Sequence, residues 1–342
     1  MLKIVNHTHE DKWRELLNEL DEATIYHTPE WRRFLENTFD YRPHYIFAED
    51  ETGKLMGMLP LFEIRSRLTR DRLCSVPFSH ICGPIGDSSA KEELINVALE
   101  YLENLGVKWL EVRNEVGSPF FENQNSFSTY ILNLSSDIDS IWKKLDKGSV
   151  RWAIKKSEKF GVSVESRNTI EDLRKFYELN CMTKKDLGVP CHPWYFFRNL
   201  LKFLNNNITL YIAIKDHEEI AGGIMVYFKG TVIYAYGASN PFALDVHPYH
   251  AFIWRSIRDA CLNGYNDYDF GRCSYNNRGL IEFKKRWGTV EKALYYSKFP
   301  GHNSCISENR TGMGYSIAQR AIHSMPMMIY EKFSDQLFGC FG

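Results

Sequence analysis

Apolar positions recur at helical spacing early in the chain: Trp13, Leu16, Leu17 and Leu20 fall on one face of residues 11–20. Pro29 opens a second helix, E-W-R-R-F-L-E-N-T-F. Residues 45–48 and 55–64 read as two strands around the turn E-D-E-T-G-K, with Pro60 marking a bulge or an edge in the second. Residues 65–72 form a basic connector. Residues 75–87 form a loop broken by Gly83, Pro84 and Gly86. A helix over 90–105 stops at Gly106, and residues 109–112 form a strand.

The same order then returns. Y-I-A-I (211–214), a charged turn and I-A-G-G-I (220–224) echo Y-I-F-A (45–48), a charged turn and L-M-G-M-L (55–59). H-P-W-Y-F-F (192–197) echoes H-T-P-E-W-R-R-F (27–34). A helix over 249–262, Gly264 and a strand over 265–270 echo the helix, Gly106 and strand of the first half. All three offsets are about 160 residues, the length of a duplicated domain rather than of a solenoid unit. Each copy reads helix, helix, hairpin, helix, strand, which predicts an α/β (α+β) layered fold in two tandem domains. The boundaries expected are 1–135 for the first domain, 136–300 for the second, which begins with a basic helix, and 301–342 for a tail.

Composition changes this picture little. The chain has 342 residues, 44% apolar and 25% charged, as in a globular protein of two domains. A net charge of −1 advertises no global attraction to nucleic acid, and DNA is not expected as a partner. Eight cysteines without a CxxC pair suggest neither zinc nor a disulfide framework, but reduced thiols in a cytosol. The polar start M-L-K-I-V-N-H-T-H-E does not read as a signal peptide. No run approaches the roughly 18 apolar residues of a spanning helix. A cytoplasmic protein, at most peripheral to the inner face of a membrane, is the expectation. The tail holds Ile322, Met328, Ile329, Phe333 and Phe338, and is expected to pack on the first domain or on a membrane surface.

Candidate chemistry concentrates in the second half. Residues 137–161 carry seven Lys and Arg, with Arg151, Lys155 and Lys159 at i, i+4, i+8 on one helix face and Lys156 beside them. This stripe is either a solvated face or a cradle for a phosphorylated substrate. Farther on, the strand over 265–270 delivers Asp269 and Arg272 into a polar loop. A segment with Phe283, Lys284, Lys285 and Arg286 faces it. His247 and His250 at the start of a helix are candidate bases, and Cys273 a candidate nucleophile. No G-x-S-x-G elbow or Cys/His cluster argues for covalent catalysis. No metal site is expected.

D-F-G-R (269–272) followed by G-L-I-E-F-K-K-R-W-G (279–288) resembles the C-terminal signature of FemAB-like transferases, tandem relatives of the GNAT acyltransferase fold. S-V-P-F-S-H-I-C-G-P-I-G-D (75–87), V-R-W-A-I-K-K-S-E-K-F-G-V (150–162) and M-T-K-K-D-L-G-V-P (182–190) resemble the same family, in its soluble branch associated with envelope polysaccharide and exosortase systems. The resemblance implies two GNAT-like domains with a groove between them. It implies an N-acyl- or aminoacyltransferase that forms an amide on a cell-envelope saccharide or peptidoglycan-type precursor, phosphorylated or lipid-linked. Carried over by motif, Phe283 and Lys284 lie near the reacting carbonyl, so Lys284 is expected to stabilise the oxyanion or a donor phosphate. Asp269 is the candidate for orienting the amine or Arg272. Arg151, Lys155, Lys156, Asp186, Tyr236, Tyr249, Arg272 and Phe283 are the candidates for the substrate site.

No tightly bound cofactor is implied. The acyl donor is a co-substrate, either an aminoacyl-tRNA or an acyl thioester. The stretch N-P-F-A-L-D-V-H-P-Y-H (240–250) lacks the glycine-rich turn with which GNAT enzymes hold the diphosphate of acetyl-CoA. No coiled-coil tRNA-binding arm is evident either. An acyl-CoA-dependent amino-sugar N-acetyltransferase and a non-catalytic binding module are the alternatives.

Overall fold

The computed structural model describes residues 2–39, 41–66, 69–300 and 313–340. The described residues within Met1–Phe127, Ala293–Ser307 and Gly339–Gly342 form one compact unit, and those within Ser128–Lys292 and Glu308–Phe338 another.

In the first unit, helices Glu10–Glu19 and Pro29–Phe39 precede the hairpin Ile46–Glu49/Leu55–Leu59, and helix Ser88–Leu105 precedes strand Leu110–Val112. The hairpin lies in a four-stranded sheet with Lys3–Val5 and Ile85–Gly86. Pro60 does more than mark a bulge. With no N–H to continue the ladder, it ends the hairpin strand at Leu59, and Phe62–Ile64 pairs instead with Arg42–Pro43 and Arg72–Cys74. Gly106 closes its helix in the left-handed conformation at φ +61°, where glycine carries no Cβ penalty.

The second unit repeats the series: helices Ile170–Asp186 and Trp194–Leu204, hairpin Ile208–Lys215/Glu218–Phe228, helix Pro248–Leu262 and strand Asp267–Asp269. Strand Ser163–Arg167 precedes the hairpin in the sheet and Thr231–Ser239 follows it. Thr231–Ser239 and Asp267–Asp269 run parallel, with helix Pro248–Leu262 as their crossover. Asp267–Asp269 then pairs antiparallel with residues 131–133 of strand Glu122–Asn133. Neighbouring residues of a strand face opposite sides. A Cβ at Gly222 would meet Phe176, and one at Gly223 would meet Phe252. Helices Ile170–Asp186 and Pro248–Leu262 therefore cover opposite faces, making three layers. Tyr130, Met225, Phe252, Ile257, Tyr268 and Trp287 belong to one core cluster.

Between Ile224↔Tyr236 and Met225↔Tyr234 the register shifts, so Ala235 is an extra residue. The bulge turns Tyr234 over Gly237, where a Cβ would come within 1.8 Å of the tyrosine hydroxyl. Gly237→Ala is expected to cost about 1–3 kcal/mol through this overpacking, read as a lower urea midpoint at unchanged slope.

The tail corrects the sequence reading. Helices Met313–Ser324 and Met327–Phe338 dock within the second unit, not the first. Lys185 Nζ donates to His323 O (2.6 Å) and the Tyr330 hydroxyl to Val189 O (2.7 Å). The Cys191 N–H donates to Ser334 Oγ (3.2 Å). Ile322, Tyr330 and Phe338 are buried there too, so apolar burial and these polar anchors together set the docking, and the apolar pattern alone does not say which unit receives it. Beyond these helices, Gly339 accepts a hydrogen bond from Tyr41 of the first unit, to which it belongs. Among the described residues no helix is long and apolar enough to cross a membrane, and no group of His, Cys, Asp or Glu is arranged to hold a metal ion.

Candidate active site

The strand Asp267–Asp269 hands the chain to Gly271, held at φ +72°. Its N–H donates to Asp269 Oδ1 (2.7 Å), and the Thr129 hydroxyl donates to the same oxygen. A buried carboxylate thus fixes the turn through two donors. The turn in turn fixes two carbonyls. Lys284, on helix Arg278–Lys285, is 3% exposed and donates from Nζ to Gly271 O (2.6 Å) and Arg272 O (3.1 Å). The Tyr130 ring lies 5.7 Å from the same nitrogen. The helix is positioned by Asn277, whose side chain caps Leu280 N–H at 3.1 Å.

An ammonium has three N–H donors. Two are engaged, which leaves one for a substrate oxygen. Burial draws the Lys284 ammonium down from the ordinary 10.5 to about 8, with Arg272 acting in the same direction and Cys273 and Asp269 opposing. Cys273 is itself buried, and burial pushes its thiol up. That environment disfavours the thiolate a nucleophile needs.

Beside this turn, four polar atoms are buried without a hydrogen-bond partner: Arg151 Nε, His247 Nε2, His250 Nδ1 and Trp287 Nε1. Ring contacts and the backbone bring them together. His250 stacks on Trp287 (5.7 Å between centroids, 18°) and meets the edge of Phe283 at 5.6 Å. His247 lies 5.8 Å from His250 and 5.0 Å from Trp152. The Arg151 N–H donates to Asp146 O (3.0 Å), while the Asp146 N–H donates to Arg286 O (2.8 Å), so Arg151 starts its helix next to Trp287. Burial, aided by His247, draws His250 down to about 4. Burial and then Lys156 lower His247. Both imidazoles are neutral at pH 7, and the guanidinium of Arg151 is the charge of this group.

The other sequence candidates separate. Lys156 Nζ sits 4.7 Å from the Trp152 ring, on the histidine side. Lys155 is exposed and turns to Trp142 (5.9 Å). Arg272 is exposed beside the Asp269 turn, and Asp186 is exposed at the end of its helix. Tyr236 lies on the other sheet face, among His192, Phe196 and Phe197. Tyr249 packs on Phe252 at 5.4 Å; burial raises its hydroxyl, against bonds from Ser239 and Thr183. Trp287, Tyr130 and Thr129 were not singled out as site residues from sequence. Trp287 stood in the quoted motif, whereas Tyr130 and Thr129 carry no local signal.

The start of helix Pro248–Leu262 offers little to a diphosphate. Pro248 has no N–H, and those of His250 and Ala251 turn back to His247 O at 3.1 and 3.3 Å.

Residues 146–285 match the family model described as acetyltransferase (GNAT) domain. No curated protein matches the chain. Among solved structures, FemX is similar at TM-score 0.69 and 16% identity, over 86% of this chain and 96% of its own. The C-terminal domain of a putative lysylphosphatidylglycerol synthetase from Agrobacterium fabrum is similar at TM-score 0.59 and 11% identity, over 91% and 94%. A tandem GNAT protein from the clavulanic acid biosynthesis pathway follows at TM-score 0.54 and 9% identity, over 87% and 98%.

Proposed function

Starting from a FemAB-like tandem GNAT fold of the acyltransferase class, we propose that this protein transfers an acyl or aminoacyl group to an amine of an anionic envelope precursor, a phosphorylated or lipid-linked saccharide or peptide. The neutral amine attacks the carbonyl carbon of an ester or thioester, and the carbonyl π pair moves to oxygen. Collapse of the tetrahedral intermediate re-forms the carbonyl and breaks the bond to the leaving oxygen or sulfur, which takes up the proton the attacking amine loses and departs as the alcohol or thiol. The remaining N–H of Lys284 is the donor for the transient oxyanion, a contribution of about 3–4 kcal/mol where such donors are preorganised. Asp269 holds the turn that aims it. Holding the reactants together supplies much of the rest.

The observation that carries this reading is the grouping of His247, His250 and Trp287 beside the start of the helix that holds Arg151, with a buried, unmet hydrogen-bonding atom on each of the four residues. Unmet buried donors are costly unless a ligand meets them, and this set suits phosphate or carboxylate oxygens. The name of one fold relative, putative lysylphosphatidylglycerol synthetase, joins a lysyl group to a phospholipid, which supports reading the acyl group as aminoacyl and the acceptor as anionic.

The test is incubation of the full chain with aminoacyl-tRNA, acetyl-CoA or acyl carrier protein thioesters and phosphorylated amino-sugar or peptide acceptors, with products read by mass. Arg151→Met is expected to raise KM for a phosphorylated acceptor about 10–100-fold, the loss of one charge-assisted bond, with little change in kcat. An unchanged KM would remove Arg151 from the acceptor site. Binding without product from any donor would make the protein a binding module.

A further inference from the structure

The second unit carries another set of unmet polar atoms, on the sheet face opposite Phe252. Asn180 is 1% exposed, and neither its Oδ1 nor its Nδ2 has a partner. His192 Nδ1 is likewise buried and unpartnered. Phe176, one turn before Asn180, lies against Gly222, and Thr183, three residues after it, exchanges hydrogen bonds with the backbone of Ser239 at 2.9 Å each way. Gly222 pairs with Ala238, and Ala221 with Ser239. Asn180 therefore faces the end of strand Thr231–Ser239. Tyr236 shares that face and lies edge-on to His192 at 5.1 Å. Phe197 is a common wall, 5.3 Å from Phe176, 5.4 Å from His192 and 5.6 Å from Tyr236. Phe338 closes over His192 at 4.5 Å.

The chemistry of these groups selects a ligand. A carboxamide presents a donor and an acceptor side by side. A carboxylate or phosphate would satisfy Nδ2 and leave Oδ1 unmet, and an ammonium would do the reverse. An amide supplies both complements: a single secondary amide meets Oδ1 with its N–H or Nδ2 with its oxygen, and the two amides that flank one residue meet both. His192 adds no charge, because burial and then Lys184 hold it neutral. The phenylalanine walls suit a methyl or a short alkyl group.

We propose that Asn180, with His192 and Tyr236, forms a subsite for a neutral secondary amide of the acyl acceptor. The inference rests on the transferase reading for the word acceptor, but its test needs neither donor nor turnover.

The ¹⁵N-labelled full chain is titrated with N-acetylglucosamine and, separately, with N-acetyl-L-alanine N-methylamide; glucosamine and L-alanine serve as amide-free controls. The Asn180 side-chain amide signal, assigned by its absence in Asn180→Asp, is expected to shift with an amide probe and not with its control. The two probes distinguish an N-acyl sugar from a peptide. Asn180→Leu, which removes two unmet polar atoms from the interior, is expected to keep or raise the melting temperature while weakening the probe about tenfold or more. An Asn180 signal unmoved by either probe up to its solubility limit, or Asn180→Leu protein that binds as well as the wild type, would overturn the subsite. Absence of transferase activity would leave these binding results standing, and failure of the probes would leave the transferase reading standing.

Discussion

Lys284→Met is expected to lower kcat about 10²–10³-fold, the usual cost of one preorganised oxyanion donor, with acceptor KM nearly unchanged. Because the ammonium is the active form in this scheme, the wild-type rate is expected to fall as pH rises through about 8, where Lys284 gives up its proton. The variant's residual rate loses that alkaline limb. A rate that rises through the same range would make the amine a base instead.

The same residue predicts a stability signature whose sign follows from linkage. The folded value of about 8 lies below the ordinary 10.5, so between these limits the unfolded chain holds more protons. Stability then increases with pH across that window. Below pH 8 both states are charged and the native state carries the burial cost, ~3 kcal/mol at about 1.4 kcal/mol per pH unit. Denaturant titrations from pH 7 to 10 should show this rise in the wild type and lose it in Lys284→Met.

The second large effect is expected at Asp269. Asp269→Asn keeps the shape but removes the charge that accepts from Gly271 N–H and the Thr129 hydroxyl. Hydrogen bonds to charged groups contribute about 1.5–3 kcal/mol each, so a loss of ~3 kcal/mol in urea titrations is expected. The carboxylate also holds Lys284 up against burial, and without it the alkaline limb moves below pH 8. That displacement separates a positioning role from mere loosening of the fold. A variant whose limb stays at 8 would show that Asp269 only supports the turn.

The duplication was legible because glycine stop signals are local. Gly106 and Gly264 both close helices at positive φ, +61° and +76°, and both stood out in the sequence. Strand Thr231–Ser239 was not legible, because the extra Ala235 breaks the alternation that identifies strands. Strand Glu122–Asn133 opens with exposed polar residues and shows no alternation either. In the site, Asp269 and Lys284 stand out from the strand end and the basic segment that follows it, and the motif resemblance adds a role for Lys284. The His250–Trp287 stack joins residues 37 positions apart, and no local pattern encodes it. Asn180 was invisible for the same reason: a polar residue inside an amphipathic helix reads as solvent-facing until the sheet beneath it is known.

The first turn of helix Pro248–Leu262 spends its amides on its own N-cap carbonyl. Under the proposed reading, recognition of an anionic substrate is therefore left to exchangeable side chains rather than to main-chain geometry. On that reading, selection acting on a lineage of such proteins retunes which anion they accept by single substitutions around Arg151 and Lys156, with the scaffold left intact.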